Sequence, residues 1–175
     1  NDTEKAKNTL EDLFSMKIDS YRAPYFSAEK ILDFFYEELS KNNFKYSSST
    51  RLTHMPGNTK KFYKIKNSDI LEIPLKGIGF GSKKITIIGG TYFRIMPIRL
   101  ILKLIKNSIK NNFAPIIYLH NYDFDKNANK VKFNLINKFT GIPNDYLRRL
   151  GRENVVTKLN KIYEYYNFVS LNSIF

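Results

Sequence analysis

Pro115-Ile116-Ile117-Tyr118-Leu119, followed by His120, is the stretch whose reading decides the fold. An unbroken apolar run of this length has the pattern of a strand buried on both faces, as in a parallel sheet. Just upstream, Pro97 suits the first position of a helix. Behind it Ile98, Ile101, Leu102, Ile105 and Ile109 recur on one stripe, and Arg99, Lys103, Lys106 and Lys110 on another. That spacing predicts an amphipathic helix that covers a sheet and shows its basic face to solvent, in preference to one lying on a membrane. Two further strand signals stand before it, Ile70 to Ile73 and Lys84 to Ile88, the second ending at Gly89-Gly90. Strand and helix therefore alternate, and the class is α/β with mostly parallel pairing.

The same pattern extends to both ends. Asp2 or Thr3 caps a first helix running to about Lys17, with Leu10, Leu13 and Phe14 at helical spacing. Ser27 is the expected N-cap of a second helix, with Glu29 in its first turn and Ile31, Leu32, Phe35 and Leu39 on its apolar face. Asn42-Asn43 ends that helix, and Phe44 to Ser48 reads as a short strand. Arg51 to Asn67 is loop-like, with a turn at Pro56-Gly57, and a polar loop is expected from Asn121 to about Asn144. A final helix from about Asn154 to Tyr166 leads to a short strand at Phe168 to Leu171.

Composition narrows the function classes. The chain has 175 residues, the size of one domain, and 42% are hydrophobic, enough for a packed core. No apolar run approaches the ~20 residues of a transmembrane helix. Cysteine is absent, which removes disulfides and thiolate metal sites without fixing the compartment; the cytoplasm is favoured over export. The net charge of +13 is spread along the chain without a dense basic block, so a nucleic-acid partner is not expected.

Only two histidines are present. His54 sits in a loop beside Met55-Pro56-Gly57, where a solvent-facing or hydrogen-bonded role is its default. His120 follows the run 115–119, at the kind of strand end where α/β barrels gather catalytic side chains; a structural or capping role remains the alternative. In Arg22-Ala23-Pro24-Tyr25-Phe26, Ala23 is pushed toward extended backbone by the proline after it. Such a segment can end a strand and present Arg22 and Tyr25 to a cleft, or Arg22 can simply pair with a surface carboxylate.

Taken together, these stretches resemble the polysaccharide deacetylases (carbohydrate esterase family four, NodB-homology type). Ser20-Tyr21-Arg22-Ala23-Pro24-Tyr25-Phe26-Ser27 is similar to that family's third motif, and Tyr118-Leu119-His120 to its fifth. Lys45-Tyr46-Ser47-Ser48-Ser49, Leu71-Glu72-Ile73-Pro74 and Gly89-Gly90-Thr91-Tyr92-Phe93-Arg94 look like landmarks of a bacterial subgroup associated with exopolysaccharide loci, in order. Residues 146–171 resemble that subgroup's C-terminal extension.

The resemblance implies the C-terminal part of a distorted (β/α) barrel acting on an N-acetylated carbohydrate. It implies a divalent metal, usually zinc, that activates water for attack on the acetyl carbonyl. Arg22 would orient the base, the Tyr25 N–H would hold the oxyanion, and His120 would protonate the departing amine. Leu119 and Pro24 would line the substrate pocket, and Tyr92 and Arg94 the sugar cleft. The family's first two motifs, which carry the base and every metal ligand, are missing from this sequence. We therefore expect a fragment of a larger chain, in preference to a split-gene product or a degenerate relative, and inactive alone. The missing N-terminal part, or a second copy, would cover the open sheet edge. Arg22 and His120 are expected to face one cleft. The alternative is a non-catalytic carbohydrate-binding or assembly module, suited by the Tyr, Phe and basic surplus.

Overall fold

A computed structural model describes residues 2–80, 83–86, 88–127 and 144–169. The chain divides into two compact units: Asn1–Thr86 with Ser108–Pro115, and Ile87–Asn107 with Ile116–Phe175.

The first unit opens with helix α1, Asp2–Phe14, whose first turn carries Asp2 and Glu4 where the helix dipole favours acids. It buries no residue, and Leu13 and Phe14 are exposed. Polar contacts tie it down: Lys7 Nζ donates to Asn42 O at 2.8 Å, and Glu11 Oε1 accepts the Ile18 N–H at 2.8 Å. Strand β1 (Ser20–Tyr21) leads into a tight turn at Pro24–Lys30, then α2 (Leu32–Lys41), β2 (Tyr46–Ser47), β3 (Arg51–Leu52), β4 (Tyr63–Lys64), β5 (Leu71–Glu72), β6 (Leu75–Phe80) and β7 (Lys83–Thr86). One sheet has the order β1-β2-β5-β4, parallel except for β4; the other has β3 parallel to β6 and β6 antiparallel to β7. Tyr36 and Leu39 of α2 pack on Phe44 and Ile70, with Tyr21 edge-on to Phe44 at 5.5 Å.

In the second unit α3 (Gly90–Ile95) and α4 (Ile98–Lys110) meet α6 (Val155–Tyr163) around a core of Ile88, Phe93, Ile101, Ile105, Val155 and Ile162. The basic stripe of α4, from Arg99 to Lys110, is exposed, as its periodicity requires. The chain bridges at Gly89 and Tyr118, so close that a Cβ on Gly89 would clash with the Tyr118 ring. A short helix, α5 (Asn144–Arg149), precedes α6.

Mixed α/β architecture is observed, but the described residues form no barrel. The run 115–119 is not a strand buried on both faces. Among the described residues it joins the ladder only through the Tyr118 bridge, and Ile116 to Leu119 are half-buried, with Ile117 and Leu119 packed on the helical core. Ser27 is not an N-cap. It lies inside the Pro24–Lys30 turn, and α2 begins after Ile31, which is exposed along with Leu32; Tyr36 takes the place expected of them in the core. The stretch read as loop contains β3 and β4, two-residue strands too short to show alternation. Residues 128–143 of the expected polar loop, and Ser170 and Leu171 of the expected last strand, lie outside the described residues. Phe168 and Val169 are exposed and not in a strand. No helix of the described residues is long and apolar enough to cross a membrane.

Candidate active site

Arg22 stands at the end of β1, where the sequence pattern places it. Its Nε donates to Ser48 O at 2.9 Å and its Nη2 to Ser48 Oγ at 2.7 Å, a two-point grip that fixes the plane of the guanidinium. The side chain is otherwise exposed. The next residue is held too: Ala23 N–H donates to Ser49 Oγ at 2.9 Å. Pro24, exposed, then starts the turn, and Tyr25 and Phe26 both adopt left-handed backbone, with φ of 55° and 56°. For non-glycine residues such conformations cost about 1–3 kcal/mol each and persist only where the surroundings impose them. Phe26 is clamped by its N–H to Ala23 O at 3.2 Å and by the Arg51 guanidinium 4.9 Å over its ring. Arg51 is anchored in turn by Glu29, at 2.9 Å. Tyr25 points the other way: it is 91% exposed, and its N–H has no partner among the described residues.

In the second unit His120 follows the Tyr118 bridge and precedes a short turn at Asn121–Asp123. Its backbone N–H donates to Asp123 Oδ2 at 2.8 Å, and Asp123 N–H donates back to His120 O at 2.9 Å. The imidazole is exposed and stacks on Tyr122 at 4.9 Å. Leu119, half-buried, packs against the core beneath it.

Arg94 is a correction to the sequence reading, because it does not line a cleft. It is 1% exposed, and its Nε lies 2.8 Å from Asp123 Oδ1, in ion-pair contact though misaligned for a hydrogen bond. Nη1 and Nη2 donate to Leu150 O and Leu147 O at 3.0 Å each, and Nη2 also to Thr91 Oγ1 at 2.8 Å. Burial pulls the guanidinium below its ordinary pKa, and the Asp123 charge offsets part of that. Tyr92, two positions away on α3, is exposed. His54 is exposed as well, 3.2 Å from Thr53 Oγ1.

The sequence reading names Ser48 and Glu72 only as parts of the family landmarks and does not single out Asp123, so the groups that hold these residues have no role in it. Ser48 grips Arg22, Asp123 fixes His120, and Glu72, 0% exposed, accepts the N–H groups of Ser49 and Thr50. A charged residue inside the apolar run 70–73 and an acid three positions after His120 were the available signals.

No set of three or more His, Cys, Asp or Glu side chains able to hold a metal occurs among the described residues.

Residues 45–175 match the family described as Domain of unknown function (DUF3473). The chain belongs to the DUF3473 family. Ser48, Glu72, Tyr92, Arg94, Leu119, His120 and Asp123 all fall inside the DUF3473 match, while Arg22, Pro24 and Tyr25 precede it. No curated protein and no solved structure matches the chain.

Proposed function

We propose that this chain is the C-terminal part of a metal-dependent hydrolase that removes N-acetyl groups from a polysaccharide or oligosaccharide. The observation that carries the reading is the segment 22–26. A side-chain guanidinium is fixed in plane, and two strained residues follow it, the first exposed and with no partner for its N–H among the described residues. Strain held in this way belongs to sites that present backbone to a ligand. Support also comes from the association of the DUF3473 family with polysaccharide deacetylase-like proteins.

Each residue's task follows from its chemistry. Attack of water on the acetyl carbon puts negative charge on the carbonyl oxygen, and the Tyr25 N–H can donate a hydrogen bond to it there. Arg22, always charged and held in one plane, can orient a carboxylate base. His120, exposed and held by its backbone, can deliver a proton to the amine nitrogen as the C–N bond breaks. The divalent metal would activate the attacking water, with its ligands lying outside the described residues.

Expression of the complete reading frame, with acetate release measured from N-acetylated oligosaccharides, tests the proposal. We expect release that a chelator abolishes. No release, with or without glycan binding, retires the hydrolase reading, and binding alone would leave a carbohydrate-binding module. In an active protein His120→Ala should lower turnover roughly 10²–10⁴-fold at an unchanged thermal midpoint. A lowered midpoint with unchanged turnover would make His120 a cap and nothing more.

A further inference from the structure

We infer that Glu72 is a positioning residue for Arg22, acting through the backbone of residues 48–50; the inference rests on the deacetylase reading of Arg22. Register supplies the first part of the case. Ser47 pairs with Glu72, and the next pair in the same parallel direction is Arg51 with Leu75. Three residues, 48–50, therefore lie opposite two, 73–74. The one-residue excess falls where the β2–β5 pairing ends and the β3–β6 pairing of the other sheet begins, a bulge-like offset of the kind that re-aims a side chain beside a site. Pro74 has no N–H to donate, so the ladder cannot close across this point.

A bulge leaves donors facing inward, and here one oxygen collects them. Glu72 Oε1 accepts the Ser49 N–H at 2.9 Å, the Thr50 N–H at 2.9 Å and the Thr50 hydroxyl at 2.8 Å. Flanking ladder bonds hold the two ends, Ser48 N–H to Tyr21 O and Leu75 N–H to Thr50 O. The outward face of the bulge is what meets the candidate site. Ser48 O and Oγ grip Arg22, while Ser48 Oγ donates to Ile73 O and Ser49 Oγ takes the Ala23 N–H. The Ser48 and Ser49 atoms that grip Arg22 and Ala23 thus belong to a segment whose shape depends on Glu72. Without that acceptor, two buried N–H groups would lose their partners, and the bulge would shift to satisfy them.

The test uses the complete protein with 15N-labelled arginine and three variants: Glu72→Leu, Glu72→Gln and Arg22→Ala. Glu72→Leu removes the acceptor at similar volume; Glu72→Gln keeps the shape but replaces charge-assisted bonds with weaker neutral ones. Solvent exchange of the Arg22 Nε–H should quicken by roughly tenfold in Glu72→Leu and by less in Glu72→Gln, in line with the bonds removed. Turnover should fall in the same order while KM stays within about twofold, because misplacement by about 1 Å acts on the transition state. In the Arg22→Ala background, Glu72→Leu should remove almost no further turnover, since residues acting as one unit are not additive. Wild-type exchange in both Glu72 variants, or turnover losses that add in full, would overturn the inference. If Glu72→Leu does not fold, Glu72→Gln carries both readouts. A wild type without turnover retires the deacetylase reading instead, and the exchange measurement still decides whether Glu72 sets Arg22.

Discussion

Among the described residues each unit buries one carboxylate completely, Glu72 in the first and Asp123 in the second, and the two are held in opposite ways. Asp123 faces a buried cation, Arg94, and spends its other oxygen on the His120 N–H. Glu72 has no cation in ion-pair contact among the described residues; one oxygen gathers three donors, and Oε2 has no hydrogen-bond partner among them. The first arrangement is an ion pair, strong when intact and harmful when halved. The second is a charge held by dipoles, weaker but tied directly to backbone shape. Both carboxylates hold backbone that carries a candidate site residue, so the comparison separates what a charge does for stability from what it does for position.

Halving the ion pair should give the largest effect. Asp123→Ala leaves the Arg94 guanidinium buried against carbonyls and one hydroxyl, which costs about 3–5 kcal/mol. For a chain of this size that lowers the thermal midpoint by about 10 °C. Replacing both partners, Arg94→Met with Asp123→Leu, should recover most of the midpoint, since apolar pairs of similar volume replace buried ion pairs at little loss. A differential scanning measurement on the two variants checks this. Equal losses in the single and double variants would mean that the His120 turn, and not the charge, carries the stability.

Glu72→Gln should cost less, about 1–2 kcal/mol, the difference between hydrogen bonds to a charged and to a neutral acceptor. A denaturant midpoint measures it. A loss as large as that of Asp123→Ala would break the contrast and imply a cation facing Glu72.

The contrast also explains what was legible in the sequence. The α4 helix announced itself because thirteen residues of 3.6-residue periodicity leave little ambiguity, and Arg22 at the end of β1 followed from the proline two positions on. The run 115–119 misled because apolar content reports burial but not hydrogen-bond neighbours, and only Tyr118 finds one. The bulge at 48–50 was invisible, since it arises from a register mismatch between segments more than twenty residues apart, as the Ser49–Glu72 separation of 23 shows. Arg94 is assigned to the cleft by its position in the resemblance alone; its burial is made tolerable by Asp123 together with the carbonyls of Leu147 and Leu150, which lie far from it in sequence.

The smallest effect concerns pH and comes from what surrounds the Glu72 carboxylate. Tyr36 is buried, and its hydroxyl has no hydrogen-bond partner that meets the geometry among the described residues. Burial first, then the charges of Glu72 and Tyr63, raise its pKa far above the ordinary value of 10.0. Tyr63 is raised as well, mainly by burial. The folded state therefore keeps these protons at a pH where the unfolded chain has released them. Below about pH 10 both states are protonated and the contribution is unaffected. Above it the unfolded state gains from ionisation, and stability falls by at most about 1.4 kcal/mol per pH unit for each tyrosine. Tyr36→Phe removes one of the two, so its stability should decline less steeply between about pH 10 and 11 than that of the wild type. Near neutral pH the change should be small, because the hydroxyl lies near Glu72 and Tyr63 without good hydrogen-bond geometry, so an apolar ring gives up little. Urea titrations of both proteins at pH 7 and pH 10.5 measure the difference. Identical slopes would mean that the Tyr36 hydroxyl reaches water, and that Glu72 is screened by more than the donors at its first oxygen.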